Sequence, residues 1–182
     1  GRVMRRPVRL PEMRTSPLLG LMIPTCQVLF VCMGNICRSP AGENIFRHLL
    51  LKEQLSGPVR CDSAGTIGFH TGKKPDARMS KTIKRRGYPV TGSARQFGVR
   101  DFEIFDLILT MDDENYANVM KLAKTDDHRS HIHKFTDFCS QHSHNEVPDP
   151  YYGGDEGFEL VADLIEDGTA GLLAHIRKTW SI

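Results

Sequence analysis

Within "VLFVCMGNICRSPAGENIF", residues 28–46, two cysteines, a glycine and an arginine fall inside seven positions, directly after an apolar run. Cys32 and Arg38 bracket Met33, Gly34, Asn35, Ile36 and Cys37. A loop between a strand end and a helix N-terminus turns several backbone N–H groups toward one point, and the helix dipole adds partial positive charge there. Gly34 tolerates unusual backbone angles, Asn35 can turn left-handed or brace the loop with its amide, and Arg38 brings a planar fork of donors. A tetrahedral dianion such as phosphate fits this set, with Arg38 paired to two of its oxygens. The same surroundings favour the thiolate form of a cysteine. Cys32 then faces a bound phosphoryl group as a nucleophile, and attack gives a thiophosphate whose charge the loop amides and Arg38 stabilise. A lone cysteine at a strand end is ordinarily a packed apolar residue. Here the glycine, the arginine, the Ser-Pro helix start and the preceding strand all favour the reactive reading. The loop is not a Walker site, because the second glycine and the lysine of G-x-x-x-x-G-K-[ST] are absent.

Positioning such a loop requires a buried strand before it and a helix after it. Residues 26–31, "CQVLFV", read as a strand covered on both faces. The stretch "SPAGENIFRHLLLKEQL" reads as a helix, with Ser39 as N-cap, Pro40 at the first helical position, and Ile45, Phe46, Leu49 and Leu50 on one side. Further strands are predicted near "VRCDSAG", at "FDLILTM" and at the start of "SHIHKFTDF". Further helices are predicted near "ARMSKTIKRRG", at "DDENYANVMKLA" and over "GFELVADLIEDGTAGLLAHIRKTW", despite Gly168 and Gly171 in the last. This alternation implies a parallel sheet covered on both sides, with ligands at the carboxyl ends of its strands.

The chain has 182 residues and 40% hydrophobic content, enough for one core. Its 24 Lys and Arg against 22 Asp and Glu give a formal charge of +2, so no global field argues for nucleic acid or an acidic membrane surface. Five cysteines follow neither a small disulfide framework nor a repeated C-x-x-C zinc pattern, which favours free thiols in a reducing compartment. Residues 1–25 differ from the rest, with five arginines, four prolines and Glu12 as the only acid. They read as an extension outside a domain of residues 26–182: a tail, a tag remnant, or part of an organellar transit segment. The piece "LLGLMI" is far shorter than the roughly 20 residues that cross a bilayer.

The opening motif resembles the signature of the low molecular weight protein tyrosine phosphatases. The resemblance runs over residues 26–178, through "DSAGT", "FDLILTMDDEN" and "VPDPYYGG" in that order, and is closer to the bacterial and plant branch than to the animal one. It implies an α/β fold, a flavodoxin-like three-layer sandwich with a four-stranded parallel sheet and helices on both faces. It also implies hydrolysis of phosphotyrosine and other aryl phosphates through a cysteinyl-phosphate, with no metal or organic cofactor. The partners expected are a tyrosine-phosphorylated protein or peptide and inorganic phosphate, with no nucleic acid and no membrane span. A cytoplasmic monomer or weak homodimer is expected, with an organelle as the alternative if the Arg-rich N-terminus is a transit segment.

A phenolate leaving group needs a proton, and the cradle holds no donor for it. Asp149 lies between Pro148 and Pro150, which restrict the backbone on both sides, and the resemblance makes it the general acid. Tyr151, Tyr152 and Phe69 are the expected walls of a cleft for a flat ring. Such depth would leave phosphoserine too short to reach Cys32. The resemblance assigns bracing roles to Asn35, Ser39 and Ser63, gives Asp112 a place near the arginine, and makes Cys37 a reversible disulfide partner of Cys32. Animal members carry a histidine where this chain has Gly92.

Arsenate reduction on the same scaffold needs resolving cysteines downstream, and residues 62–138 contain none. Related phosphoarginine phosphatases carry threonine where this chain has Ile36. A phosphocysteine carrier would need no acid such as Asp149. Cys139, His142 and His144 in "CSQHSH" have usable ligand types for a metal, without an evident fourth member.

Overall fold

The computed structural model describes residues 24–182. The expectations for residues 1–23 lie outside it. Strand β1 (Cys26–Cys32) alternates its side chains with the period of two that a strand imposes. Cys26, Val28, Phe30 and Cys32 point into one core, and Leu29 and Val31 into another. The first core lies under the helices α1 (Arg38–Lys52), α2 (Ala77–Arg85) and α6 (Asp155–Trp180). The second lies under the short helix α3 (Asp101–Ile104) and the helix α4 (Asp113–Leu122), and includes Phe102, Val119 and Ile132.

The sheet is four-stranded and parallel, with order β2 (Val59–Gly65), β1, β3 (Leu107–Thr110), β4 (Ile132–Lys134). From β1 the chain goes to one side to make β2, then crosses to the other side for β3. The carboxyl ends of β1 and β3 therefore flank the topological switch point, where open α/β sheets bind their ligands. Two short elements, α5 (Asp126–Ser130) and a 3₁₀ turn (Phe135–Phe138), complete the fold.

One local expectation is corrected. Ser39 does not cap α1: the N-cap is Cys37, with no side-chain cap bond, and Ser39 and Pro40 lie inside the first turn. The serine hydroxyl is drawn to the sulfur of Cys32 instead. A second expectation gains its reason. Gly168 and Gly171 stand in α6 because the 3₁₀ turn seats directly on them. A Cβ at Gly168 would lie 2.2 Å from the Phe135 ring, and one at Gly171 would lie 1.9 Å from the Phe138 carbonyl oxygen.

Helix α2 is capped by Asp76, whose carboxylate accepts from the N–H groups of Arg78 at 2.8 Å and Met79 at 3.2 Å. The Asp76 N–H donates to the Ile36 carbonyl at 2.7 Å, so the cap also fastens α2 to the loop after β1. Burial alone would raise the Asp76 carboxyl, but the bonds from the Arg78 side chain and the two N–H groups prevail and hold it below its ordinary value. The contribution is therefore present above the ordinary carboxylate range and is lost as the pH falls below it. Asp76→Ala is expected to cost about 1 kcal/mol, seen as a thermal midpoint lowered by about 2–4 °C at neutral pH. The gap should close in acid.

Candidate active site

Cys32 ends β1 and Arg38 begins α1, so the five residues between them form the loop at the switch point. Asn35 takes the left-handed conformation, with φ of 56°. Its side chain ties the loop down: Nδ2 donates to Ser39 Oγ at 2.8 Å and to Ser63 Oγ at 2.9 Å, and Oδ1 accepts the Arg95 N–H at 3.0 Å. Because that backbone N–H can only donate, the orientation of the amide is fixed. Arg95 is held by Asp62 and Asp101, both at 3.1 Å. Gly65, at the end of β2, permits the close approach, since a Cβ there would stand 2.7 Å from the Met33 carbonyl oxygen.

Ser39 Oγ lies 2.9 Å from Cys32 Sγ. The serine oxygen already accepts from Asn35, which leaves its hydrogen free for the sulfur. The alternative acceptor, the Ala64 carbonyl, is farther at 3.4 Å. Ser63 turns away from the thiol, toward Asn35 and Glu43. Ser39 is thus the hydroxyl that reaches Cys32, and Ser63 braces the amide that holds Ser39. Glu43, buried in α1 and paired with Arg47 at 3.0 Å, has its carboxyl pushed up to about 7 chiefly by burial.

Arg38 is almost wholly buried. Its Nη1 donates to Asp112 Oδ2 at 2.5 Å and to the Val147 carbonyl at 3.1 Å, and its Nη2 lies 3.6 Å from Asp149 Oδ2. Burial alone would lower its pKa, but the negative charge available at Cys32, Asp112 and Asp149 outweighs this and holds it above its ordinary value. Asp112 does two jobs, because its other oxygen accepts the Asn115 N–H at 2.7 Å and caps α4. Cys37 is buried beneath the loop, and burial first, then the charges of Asp76, Cys32 and Asp149, push its thiol up.

These residues open into a cleft of about 280 Å³. Cys32, Met33, Gly34, Ile36, Cys37 and Arg38 line its base, with Phe69, Asp149, Tyr151 and Tyr152 around it. Phe69 is 78% exposed and Tyr152 94%, so both are rim residues standing free of the core. Tyr151 is half-buried, with the Arg78 guanidinium 5.2 Å over its ring. Asp149 Oδ1 accepts the Tyr151 N–H at 3.0 Å, an Asx turn that fixes the carboxyl at the mouth.

His70 and Ile67 also line the cleft and were not singled out from the sequence. The His70 ring is 4.9 Å from that of Phe69, and it crowds Gly34 so closely that a Cβ there would lie 2.9 Å from it. No sequence signal separates such a histidine from an ordinary loop residue. Cys139 and His142 are drawn to other tasks. Cys139 Sγ donates to the Leu164 carbonyl, and His142 binds Asp167, whose carboxylate accepts three successive backbone N–H groups. Among the described residues no group of three or more His, Cys, Asp or Glu is placed to hold a metal ion.

Residues 27–181 match the family model described as low molecular weight phosphotyrosine protein phosphatase. The chain is 47% identical over 152 residues to slr0328 of Synechocystis sp., an alignment covering 84% of this chain and 97% of that protein. It is 43% identical over 152 residues to the low molecular weight protein-tyrosine-phosphatase YfkJ of Bacillus subtilis, covering 83% and 96%. Among solved structures, a protein tyrosine phosphatase from Entamoeba histolytica superposes with a TM-score of 0.82 at 40% identity, covering 84% of this chain and 97% of that one. The match reaches from the first residues of β1 to the end of α6 and includes every segment that meets at the cleft, so this chain belongs to the low molecular weight phosphotyrosine protein phosphatase family.

Proposed function

We propose that residues 26–182 form a phosphatase unit that hydrolyses phosphotyrosine in proteins or peptides through Cys32, Arg38 and Asp149. One observation carries the reading: a sulfur held 2.9 Å from a serine hydroxyl lies in the same narrow cleft as a buried arginine, with a carboxyl 3.6 Å from that arginine at the mouth. The phosphoryl group lies against the N–H groups of Met33 to Arg38 at the start of α1, with Arg38 donating to its oxygens. Sulfur attacks phosphorus as the bond to the tyrosyl oxygen breaks, and Asp149 gives its proton to that oxygen. Asp149, now a carboxylate, takes a proton from the water that attacks the cysteinyl-phosphate. Phosphate leaves and Cys32 is restored. Ser39 donates to the sulfur in both states, and Asn35 and Ser63 hold Ser39 in place. Phe69, Tyr151 and Tyr152 flank the phenyl ring, and neither a metal nor an organic cofactor enters a step.

Cys37 supplies the reversible protection. Once an oxidant such as peroxide has made Cys32 a sulfenic acid, the Cys37 thiol displaces water from it to form a disulfide. We place the protein in a reducing compartment, the cytoplasm, on its five free cysteines, and among the described residues no helix is long and apolar enough to cross a membrane. A monomer or weak homodimer suffices, since every residue named at the cleft comes from one chain.

Asp149→Ala is expected to lower turnover of a phosphotyrosine peptide about 10²–10⁴-fold. The deficit should shrink for an aryl phosphate whose leaving group departs readily as its anion. Steady-state assays with EDTA present, and with phosphoserine and phosphoarginine peptides in parallel, check both points. Equal loss on both leaving groups would remove Asp149 from the acid role, and turnover of phosphoarginine in preference to phosphotyrosine would change the substrate class.

A further inference from the structure

A second hollow, of about 760 Å³, opens between α2 and residues 90–92. Pro75, Ala77 and Val90 line it together with Lys74, Lys81 and Lys84, and no carboxylate lines it. Both walls are fixed. Asp76 caps α2, and the opposite segment is pinned to α1 by Asn44, which accepts the Thr91 N–H at 2.9 Å and donates to the Thr91 carbonyl at 3.1 Å. Arg85 at the far end is paired with Glu159 at 3.1 Å, whereas the three lysines have no ion pair among the described residues.

Unpaired lysines on a helix are ordinarily just a solvated face, but the distribution of charge argues otherwise here. Residues 73–86 carry seven Lys and Arg and one acid. Arg78 is paired with Asp76, Arg85 with Glu159, and Arg86 with Glu159, Asp163 and Glu166, so the positive charge of the strip rests on Lys73, Lys74, Lys81 and Lys84. The remainder of residues 24–182 carries 12 Lys and Arg against 20 Asp and Glu. The groove is thus a positive strip on an acidic body, which steers negatively charged chains toward one place and away from the rest.

Groove and cleft are lined by neighbouring stretches of the chain, joined by one short turn. Phe69 and His70 line the cleft, Lys74 and Pro75 line the groove, and the turn between is held by the Lys73 N–H on the His70 carbonyl at 2.9 Å. The Ala94 N–H secures the same turn by donating to the Lys73 carbonyl at 2.8 Å. Residues flanking a phosphorylated side chain in the cleft would reach the lysines by passing over this turn.

We propose that the groove docks acidic residues flanking the phosphotyrosine, so that the protein selects phosphorylated segments carrying Asp or Glu a few positions from the tyrosine. The inference rests on the phosphotyrosine reading above. Lysines suit the task, being mobile point charges that accept carboxylates at varied positions. Exposed pairs are weak singly, and three acting together give a preference of about tenfold.

The test compares two phosphotyrosine peptides of equal length, one flanked by Glu and one by Gln, together with p-nitrophenyl phosphate. The proteins are the wild type and a Lys74→Glu, Lys81→Glu, Lys84→Glu variant, at low and high salt. The wild type is expected to favour the Glu peptide about tenfold in kcat/KM, mainly through KM, and to lose most of that preference in high salt. The variant is expected to lose or invert the preference while its kcat/KM on p-nitrophenyl phosphate stays unchanged. Equal rates on the two peptides with the wild type, or a preference that survives in the variant, would overturn the groove assignment and leave the phosphatase intact. No turnover of any of the three substrates would remove the phosphatase reading, and the groove with it. Lysine-dependent sedimentation with phosphatidylserine vesicles, without a peptide preference, would make the groove a membrane surface and overturn the proposal.

Discussion

Cys32→Ser should abolish turnover of phosphotyrosine, with kcat lower by on the order of 10⁴–10⁶-fold, and should still bind phosphate. The exchange replaces one sulfur with one oxygen in a loop whose shape is set by Asn35, so neither the fold nor the anion cradle loses a tie. What is lost is the reactivity of the attacking atom. A serine hydroxyl attacks only if a base removes its proton, and the neighbour at that point is Ser39, whose oxygen already accepts from Asn35 and whose hydrogen is turned toward residue 32. Rapid-quench trapping of labelled phosphate on the protein checks the step directly. Wild type should carry label and the serine variant none, while calorimetry shows phosphate binding to both. Label on the serine variant at the wild-type rate would place the nucleophile elsewhere.

Gly171→Ala should destabilise the protein by about 3 kcal/mol, lowering the thermal midpoint by about 6–12 °C, against the usual benefit of alanine in a helix. The new methyl would fall 1.9 Å from the Phe138 carbonyl oxygen, a backbone atom that no rotamer change can move. The 3₁₀ turn cannot retreat easily either. Phe135 is fully buried with its ring 6.1 Å from that of Phe30, and Gly168 receives it from below. Gly157→Ala, in the same helix with only ordinary contact to Pro150 at 3.5 Å, is the control and should be neutral or slightly stabilising. Thermal melts of the three proteins decide it. Equal midpoints would show that α6 and the turn slide apart without cost.

The sheet was legible because β1 alternates its side chains between two cores and β3 is a short unbroken apolar run, patterns that a single strand carries by itself. The loop from Cys32 to Arg38 was legible because its residues are consecutive. Helices α3 and α5 were missed because four and five residues show no periodicity. Ser39 misled because the local rule that places serine at a helix N-cap says nothing of a sulfur 2.9 Å away, which only the strand–loop–helix geometry supplies. The glycines of α6 are a tertiary matter: their reason lies more than 30 positions earlier, in the residues that press on them. The cationic strip at residues 73–86 was present in the sequence and hidden by the near-balance of the whole chain.

The partners of Arg38 Nη1 lie 74 and 109 residues away from it, in Asp112 and the Val147 carbonyl. The Cys-to-Arg loop needs less of the chain, since the farthest partner of the Asn35 side chain that shapes it is the Arg95 N–H, 60 residues on. A chain emerging from synthesis thus completes the ties of Arg38 only after nearly the whole domain has emerged, later than the ties of the loop around Cys32. Such long loops close late in folding, because their entropy must be lost before the contact rewards it. The surroundings of Arg38 are a property of the finished fold, and phosphatase activity that depends on it is expected to return after denaturant dilution later than helix and sheet.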